Sequence, residues 1–183
     1  MLSENPSLIL ENPEFAEALQ EVMVFKKFPK HHIIHEAGQI CNHFYIITSG
    51  IGRVFYYKED KDITVHFAAE QESITAIDSL IQRKKSKYHI EALEDMEAFA
   101  VHIDELENIF EKHPKYERFG RLFLQQIYIE LVERIDDLQL HTAQERYTIL
   151  LQKKPYLFQR VSSKHIASFL GMTAETLSRI RAK

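Results

Sequence analysis

The stretch "VSSKHIASFLGMTAETLSRIRAK", residues 161–183, decides how the rest of the chain is read. It divides at Gly171 into two short helical pieces. The first has Ser162 or Ser163 as its cap, whose hydroxyl accepts a free amide hydrogen, and runs through Leu170. Ala167 stands mid-helix, where a small side chain lets a second helix cross closely. Gly171 falls at the turn, where a positive φ carries no steric penalty. Thr173 caps the second piece, and its Leu177 and Ile180 can face Ile166 and Leu170 of the first. Ala167, Gly171, Leu177 and Ile180 thus fall at positions 5, 9, 15 and 18 of a twenty-residue unit, which is what a helix-turn-helix requires of a sequence.

The second piece then has a definite outward face. At about 100° per residue, the side opposite Leu177 and Ile180 presents Glu175, Ser178, Arg179 and Ala182, flanked by Ala174 and Arg181. Arginine donates two hydrogen bonds to guanine and glutamate accepts from the amino group of cytosine, so Glu175, Ser178 and Arg179 are the candidate base readers. Ser162, Ser163, Lys164, Thr173, Arg181 and Lys183 are candidate phosphate contacts, together with the free amides at the two helix starts.

Charge agrees with this. The 183-residue chain has a formal charge of −4, yet residues 153–183 hold Lys153, Lys154, Arg160, Lys164, Arg179, Arg181 and Lys183 against Glu175 alone, a net of +6 that leaves −10 for the remainder. The asymmetry points to an anionic partner at the C-terminal end. Hydrophobic residues at 45% and charged residues at 27% describe a soluble globular chain with one ordinary core and room for a small second module. Apolar runs such as "FYII", 44–47, are far too short for a membrane span or signal peptide, so a cytoplasmic protein is expected. Cys41 is the single cysteine, which excludes an internal disulfide and a four-thiolate cluster within one subunit.

Upstream, Pro114 opens a helix that runs to about Leu140. Phe119, Leu122, Phe123, Ile127, Leu131, Ile135 and Leu138 keep three-and-four spacing over nearly four heptads, more helix than a small domain needs to cover its sheet. It is expected to pack against its own copy through Phe119, Phe123, Ile127, Leu131, Ile135 and Leu138. Between it and the helical pair, "TAQERYTILLQKKP", 142–155, reads as one more amphipathic helix, and "DELENIFEKH" before Pro114 as a short one.

From Phe25 to about His102 the period is that of strands. Glycines 38, 50 and 52 punctuate β-branched and aromatic runs, Ile63, Val65 and Phe67 alternate with Thr64, His66 and Ala68, and "KEDKD", 58–62, reads as a hairpin tip. "EALED" separates two more strands within 87–102. No regular alternation with helices occurs, so a sandwich or jelly roll is expected rather than a parallel sheet; the exception is "ESITAIDSLIQRKKS", 72–86, a short helix or structured loop. Residues 6–23 read as helical material broken by Pro13.

Taken together, the chain resembles a transcription regulator of the CRP/FNR family, the cyclic-AMP receptor-like factors. "RVSSKHIASFLGMTAETLSRI" resembles that family's DNA-binding unit, "EAGQICNHFYIITSGIGRVFYY" the start of its β-roll sensor, and the long helix lies where the family has its dimer helix. The resemblance implies an α+β protein: an antiparallel, jelly-roll-like cyclic-nucleotide-binding-like sensor over 1–113, a dimerisation helix over 114–141, and a winged-type helix-turn-helix domain over 142–183. The sequence ends at Lys183, before the hairpin wing with which that unit usually closes, implying a longer working protein or a wingless module. Double-stranded DNA, a second copy, RNA polymerase and a small-molecule effector are the implied partners. Glu175 and Arg179 match two base-reading positions, while Ala174 stands where the family often has arginine, so the target site does not carry over.

The sensor departs from the pattern. Nucleotide-binding members use a Gly-Glu pair for the ribose and an Arg followed by Ser or Thr for the cyclic phosphate; "EQESITAIDSLIQRKKSKYHIEAL" has neither. Ser86 and Lys87 stand nearest the phosphate position, and Ser73 and Tyr128 complete the implied effector pocket. A lysine does not reproduce an arginine fork, so tight binding of cyclic AMP is not expected. No cofactor is expected.

Two other functions set the alternatives. A cupin-type metal protein would draw on "HHIIHE", 31–36, but His31 and His32 are adjacent and so point to opposite faces. A sensor or adaptor dimer without DNA binding would keep the long helix alone. No catalytic triad, phosphate loop or nucleotide fingerprint is present, so an enzyme is not expected.

Overall fold

The computed structural model describes residues 12–182. They form two units: the first comprises the chain up to Tyr56 and His66–Gln125, the second Tyr57–Val65 and Gln126–Lys183.

The first unit begins with helix α1 (Pro13–Gln20). Pro13 does not break it but starts it: a fixed φ and a missing N–H cost nothing in the first turn, and Asn12 caps the helix by accepting from the Phe15 amide at 3.0 Å. Positions 6–11 of the helical stretch expected there lie outside the described residues.

Strands β1 (Val24–Phe28), β2 (Ile33–His35), β3 (His43–Ser49), β4 (Gly52–Lys58), β5 (Lys61–Ala68), β6 (Ser73–Ile74), β7 (His89–Ala92) and β8 (Met96–His102) build two four-stranded sheets, ordered β1-β8-β3-β6 and β2-β7-β4-β5. Their pairings β1·β8, β3·β8, β3·β6, β2·β7 and β4·β7 are antiparallel, as the short strands and glycine turns led us to expect. The sheets approach closely at Gly52 of β4, where a Cβ would lie 2.9 Å from Ile74 Cδ1 and 3.5 Å from Met96 Sδ. Gly50 turns β3 into β4 at φ 97°, and a Cβ there would stand 2.7 Å from the Asp95 carbonyl, so the turn admits only glycine.

Helix α2 (Ile77–Gln82) is the interruption seen in 72–86, and helix α3 (Ile103–Lys112) follows β8. A 3-10 turn at Pro114–Tyr116 precedes helix α4 (Glu117–Leu140), the expected long helix. α4 has no fully buried residue, but its two ends differ. Phe119 stacks on Phe15 with ring centres 4.9 Å apart, and Phe123 lies 6.4 Å from Phe44, so these two pack toward the core of their own unit. That core joins Phe15, Leu19, Phe44, Leu80, Val101, Ile109 and Tyr116.

The second unit holds the rest of α4, then α5 (Ala143–Lys153), α6 (Leu157–Arg160), α7 (Ser163–Phe169) and α8 (Ala174–Arg181). α5 opens with a reciprocal capping box, Thr142 with Glu145. α6, a single turn after Pro155, has no counterpart in the sequence reading. Leu150, Leu157, Val161, Ile166, Ala167, Leu170 and Leu177 are the buried apolar residues of this unit. No helix among the described residues is long and apolar enough to cross a membrane.

Candidate functional site

The α7–α8 pair follows its sequence signals closely. Ser162 caps α7 by accepting from the His165 amide at 3.3 Å, and Thr173 caps α8 by accepting from Thr176 at 3.2 Å. Gly171 takes φ 65° between them, and a Cβ there would stand 3.0 Å from Leu138 Cδ2. Leu177 is completely buried beside the equally buried Ile166 and Ala167, so the opposite face of α8 is left to solvent.

On that face Ala174, Glu175, Ser178, Arg179, Arg181 and Ala182 are all exposed. The amide of Glu175 itself and the Thr173 hydroxyl hold the Glu175 carboxyl below its usual range, so it is an anion and an acceptor at neutral pH. Arg179 donates to the Thr176 hydroxyl at 3.3 Å, and Thr176 lies 3.2 Å from Thr173. Thr176 was not singled out in the sequence; its place three residues from both Thr173 and Arg179 was the available signal.

Of the candidate phosphate contacts, Arg181 and Ser163 come together: Arg181 donates to Ser163 Oγ at 3.0 Å and lies 5.3 Å from the Phe158 ring centre. Lys164 is exposed on α7, and Lys183 lies outside the described residues. Two further arginines, invisible to the motif, close the end of α7. Arg146 donates to the carbonyls of Leu170 at 2.8 Å and His141 at 2.7 Å, and Arg134 donates to that of Phe169. They satisfy carbonyls that a helix end leaves unpaired.

In the first unit, Ser86 and Lys87 meet at a carboxylate of the chain's own. Asp78 of α2 accepts from the Ser79 amide at 2.8 Å, from Ser86 Oγ at 2.8 Å and from the Lys87 amide at 3.5 Å. The Ser86 hydroxyl also accepts from the Tyr88 amide at 2.9 Å, while its one proton is committed to Asp78. Ser73 sits in β6 opposite Ile46 of β3, and Tyr128 lies on α4, 69% exposed.

A buried polar cluster lies nearby in sequence. Arg53 of β4 and Glu91 of β7 are cross-strand partners, with Arg53 Nε and Nη2 each 2.7 Å from Glu91 Oε2. The Arg53 guanidinium stacks 3.8 Å from the Phe55 ring centre, and His31 Nδ1 lies 3.1 Å from the other Glu91 oxygen. Among the histidines of "HHIIHE", His31 is thus paired with Glu91, His32 stacks on Phe28, and His35 is buried. No group of three or more His, Cys, Asp or Glu among the described residues is arranged to hold a metal ion.

Residues 25–113 match the family model of the cyclic nucleotide-binding domain. The chain is similar in structure to FixK2 from Bradyrhizobium japonicum, with a TM-score of 0.77 and 20% identity over 88% of this chain and 83% of that one. It is also similar to a CooA variant from Carboxydothermus hydrogenoformans, with a TM-score of 0.73 and 19% identity over 100% and 84%. For the catabolite activator protein of Thermus thermophilus the values are 0.62 and 19%, over 97% and 85%. No curated protein matches in sequence at a significant level. Residues 25–113 are thus similar to a cyclic nucleotide-binding domain, and structural neighbours of the chain are transcription regulators of the CRP/FNR family, as the resemblance in sequence implied.

Proposed function

We propose that the protein is a sequence-specific DNA-binding transcription regulator that acts as a homodimer. The observation that carries this reading is the α8 face. Glu175, Ser178 and Arg179 stand exposed on a short helix, braced from behind by Leu177, in a segment with seven cations and one anion. Such a helix suits the major groove, with base edges read by side chains and phosphates met by Lys164, Arg181 and the helix starts. The sensor would be residues 1–113, the dimer helix 114–141 and the DNA-binding domain 142–183. Leu124, Tyr128, Leu131, Ile135 and Leu138 are exposed at four-and-three spacing along α4, and such a stripe favours a second copy. RNA polymerase is a further partner in this reading.

Cyclic AMP is not the proposed effector. Asp78 accepts from the Ser86 hydroxyl and the Lys87 amide, the two residues expected nearest a phosphate, and from the Ser79 amide as well. A phosphate there would meet a carboxylate of its own sign.

Selection of duplexes from a random pool by the full chain tests the function. Enrichment of a two-fold symmetric site with half-sites about one helical turn apart is expected; recovery of unenriched DNA, with a stable dimer, favours the adaptor reading instead.

A further inference from the structure

Strand β5 ends its sheet, in the order β2-β7-β4-β5, so one side of it faces away from its sheet neighbour β4. The backbone groups on that side belong to alternate residues, and Asp62 and Thr64 are such a pair. Ser168 of α7 meets both. Its hydroxyl donates to the Asp62 carbonyl at 2.8 Å and accepts from the Thr64 amide at 2.9 Å, satisfying two edge groups with one atom. Thr64 is only 1% exposed. The hairpin tip, Tyr57–Val65, is accordingly part of the same compact unit as the α7–α8 pair. Its turn is tight, with Glu59 and Asp60 both in the left-handed region at φ 49° and 60°, as in a two-residue hairpin whose register is set.

We infer that Ser168 is a positioning residue: it clasps the β4–β5 hairpin tip to α7, and the clasp holds the α7–α8 pair in its DNA-binding arrangement. The inference rests on the DNA-binding reading above. Glu175, Ser178 and Arg179 are exposed while the clasp is closed, so it works for binding and not against it. Ser168 is neither in the α8 reading face nor among the phosphate contacts. Its effect is therefore on affinity for every sequence alike, with base choice left as it was.

The test uses the full chain with S168A and S168T. Amide hydrogen exchange of the 57–65 segment is followed by mass spectrometry, and binding to a duplex recovered in the random-pool selection by fluorescence anisotropy. Loss of even one net hydrogen bond amounts to about fivefold and S168A removes two, so it is expected to speed exchange of 57–65 by at least about that factor and to weaken the selected duplex by at least about threefold. It should leave the ranking of single-base variants unchanged, and S168T, which keeps the hydroxyl, should follow wild type in both measurements. Unchanged exchange in S168A, faster exchange with undiminished affinity, an altered base ranking, or S168T behaving as S168A would each overturn the inference. If wild type itself selects no duplex, the DNA-binding reading fails and this inference with it, and the exchange measurement shows separately whether the clasp exists.

Discussion

Arg134 of α4 holds its guanidinium carbon 4.0 Å from the ring centre of Phe169 and donates to the carbonyl oxygen of that same residue. One side chain thereby grips both the ring and the backbone at the end of α7. Burial lowers the Arg134 pKa to about 10, still far enough above neutrality to keep the charge; Asp137 raises it and Arg146 lowers it.

Arg134→Met retains the aliphatic stem and removes the charge and donors. A loss of about 1 to 3 kcal/mol is expected, read as a lower urea midpoint, because a stacked cation and a capping hydrogen bond to a charged group are lost together. Unchanged stability would mean that Arg146 alone closes the helix end.

The Arg53–Glu91 pair has side chains only 4% and 10% exposed. Arg53→Met leaves the Glu91 carboxylate in the sheet interior beside His31, and a loss of about 3 to 5 kcal/mol is expected by thermal unfolding. Converting both, Arg53→Met with Glu91→Leu, should recover much of it, since a paired charge is replaced by packing.

His35 gives a pH dependence with a definite sign. Burial lowers its pKa, the Asp78 charge opposes this and His89 adds to it, and Nε2 has no hydrogen-bond partner among the described residues. The unfolded chain, with a pKa near 6.5, therefore binds the proton more readily than the folded one. Stability from this site is complete above about pH 6.5 and falls as the pH drops below it toward the folded value. His43, also lowered mainly by burial and then by His102, acts in the same direction. His35→Phe is expected to flatten the fall in melting temperature between pH 7 and 5.5; an equally steep fall would show that His35 is not a source.

The open stripe of α4 should govern self-association. Leu131→Glu with Ile135→Glu places charges at two residues more than half exposed, so folding of the single chain should survive. Sedimentation should show a dimer in the parent and a monomer in the variant. A dimer in both would place the interface elsewhere.

Arg179→Ala and Lys164→Ala separate base reading from phosphate contact. Arg179→Ala should cost about 1 to 3 kcal/mol on the selected duplex and relax choice at one position of each half-site. Lys164→Ala should weaken all duplexes about equally and reduce the slope of log affinity against log salt by about one per subunit. Parental binding by both would show the reading face to be misassigned.

What the sequence determined by itself is local. The caps at Ser162 and Thr173, the glycine turn and the buried Leu177 are settled by residues within a few positions of one another, so the α7–α8 pair and its outward face were legible with the register intact. The strand period and the hairpin tip at 58–62 were legible for the same reason. Tertiary structure decided what depends on contacts distant in the chain. Heptad spacing named a stripe on α4 but could not say which copy or core it met. Phe119 and Phe123 turn to Phe15 and Phe44, while Leu124 and Tyr128, the latter expected at the effector pocket, lie on the open side. The same holds for Asp78 reaching Ser86, Arg53 reaching Glu91 and Ser168 reaching β5. Each of these polar contacts is made because folding withdraws donors and acceptors from water and obliges them to find one another, and sequence spacing alone does not encode which partner the fold brings within reach.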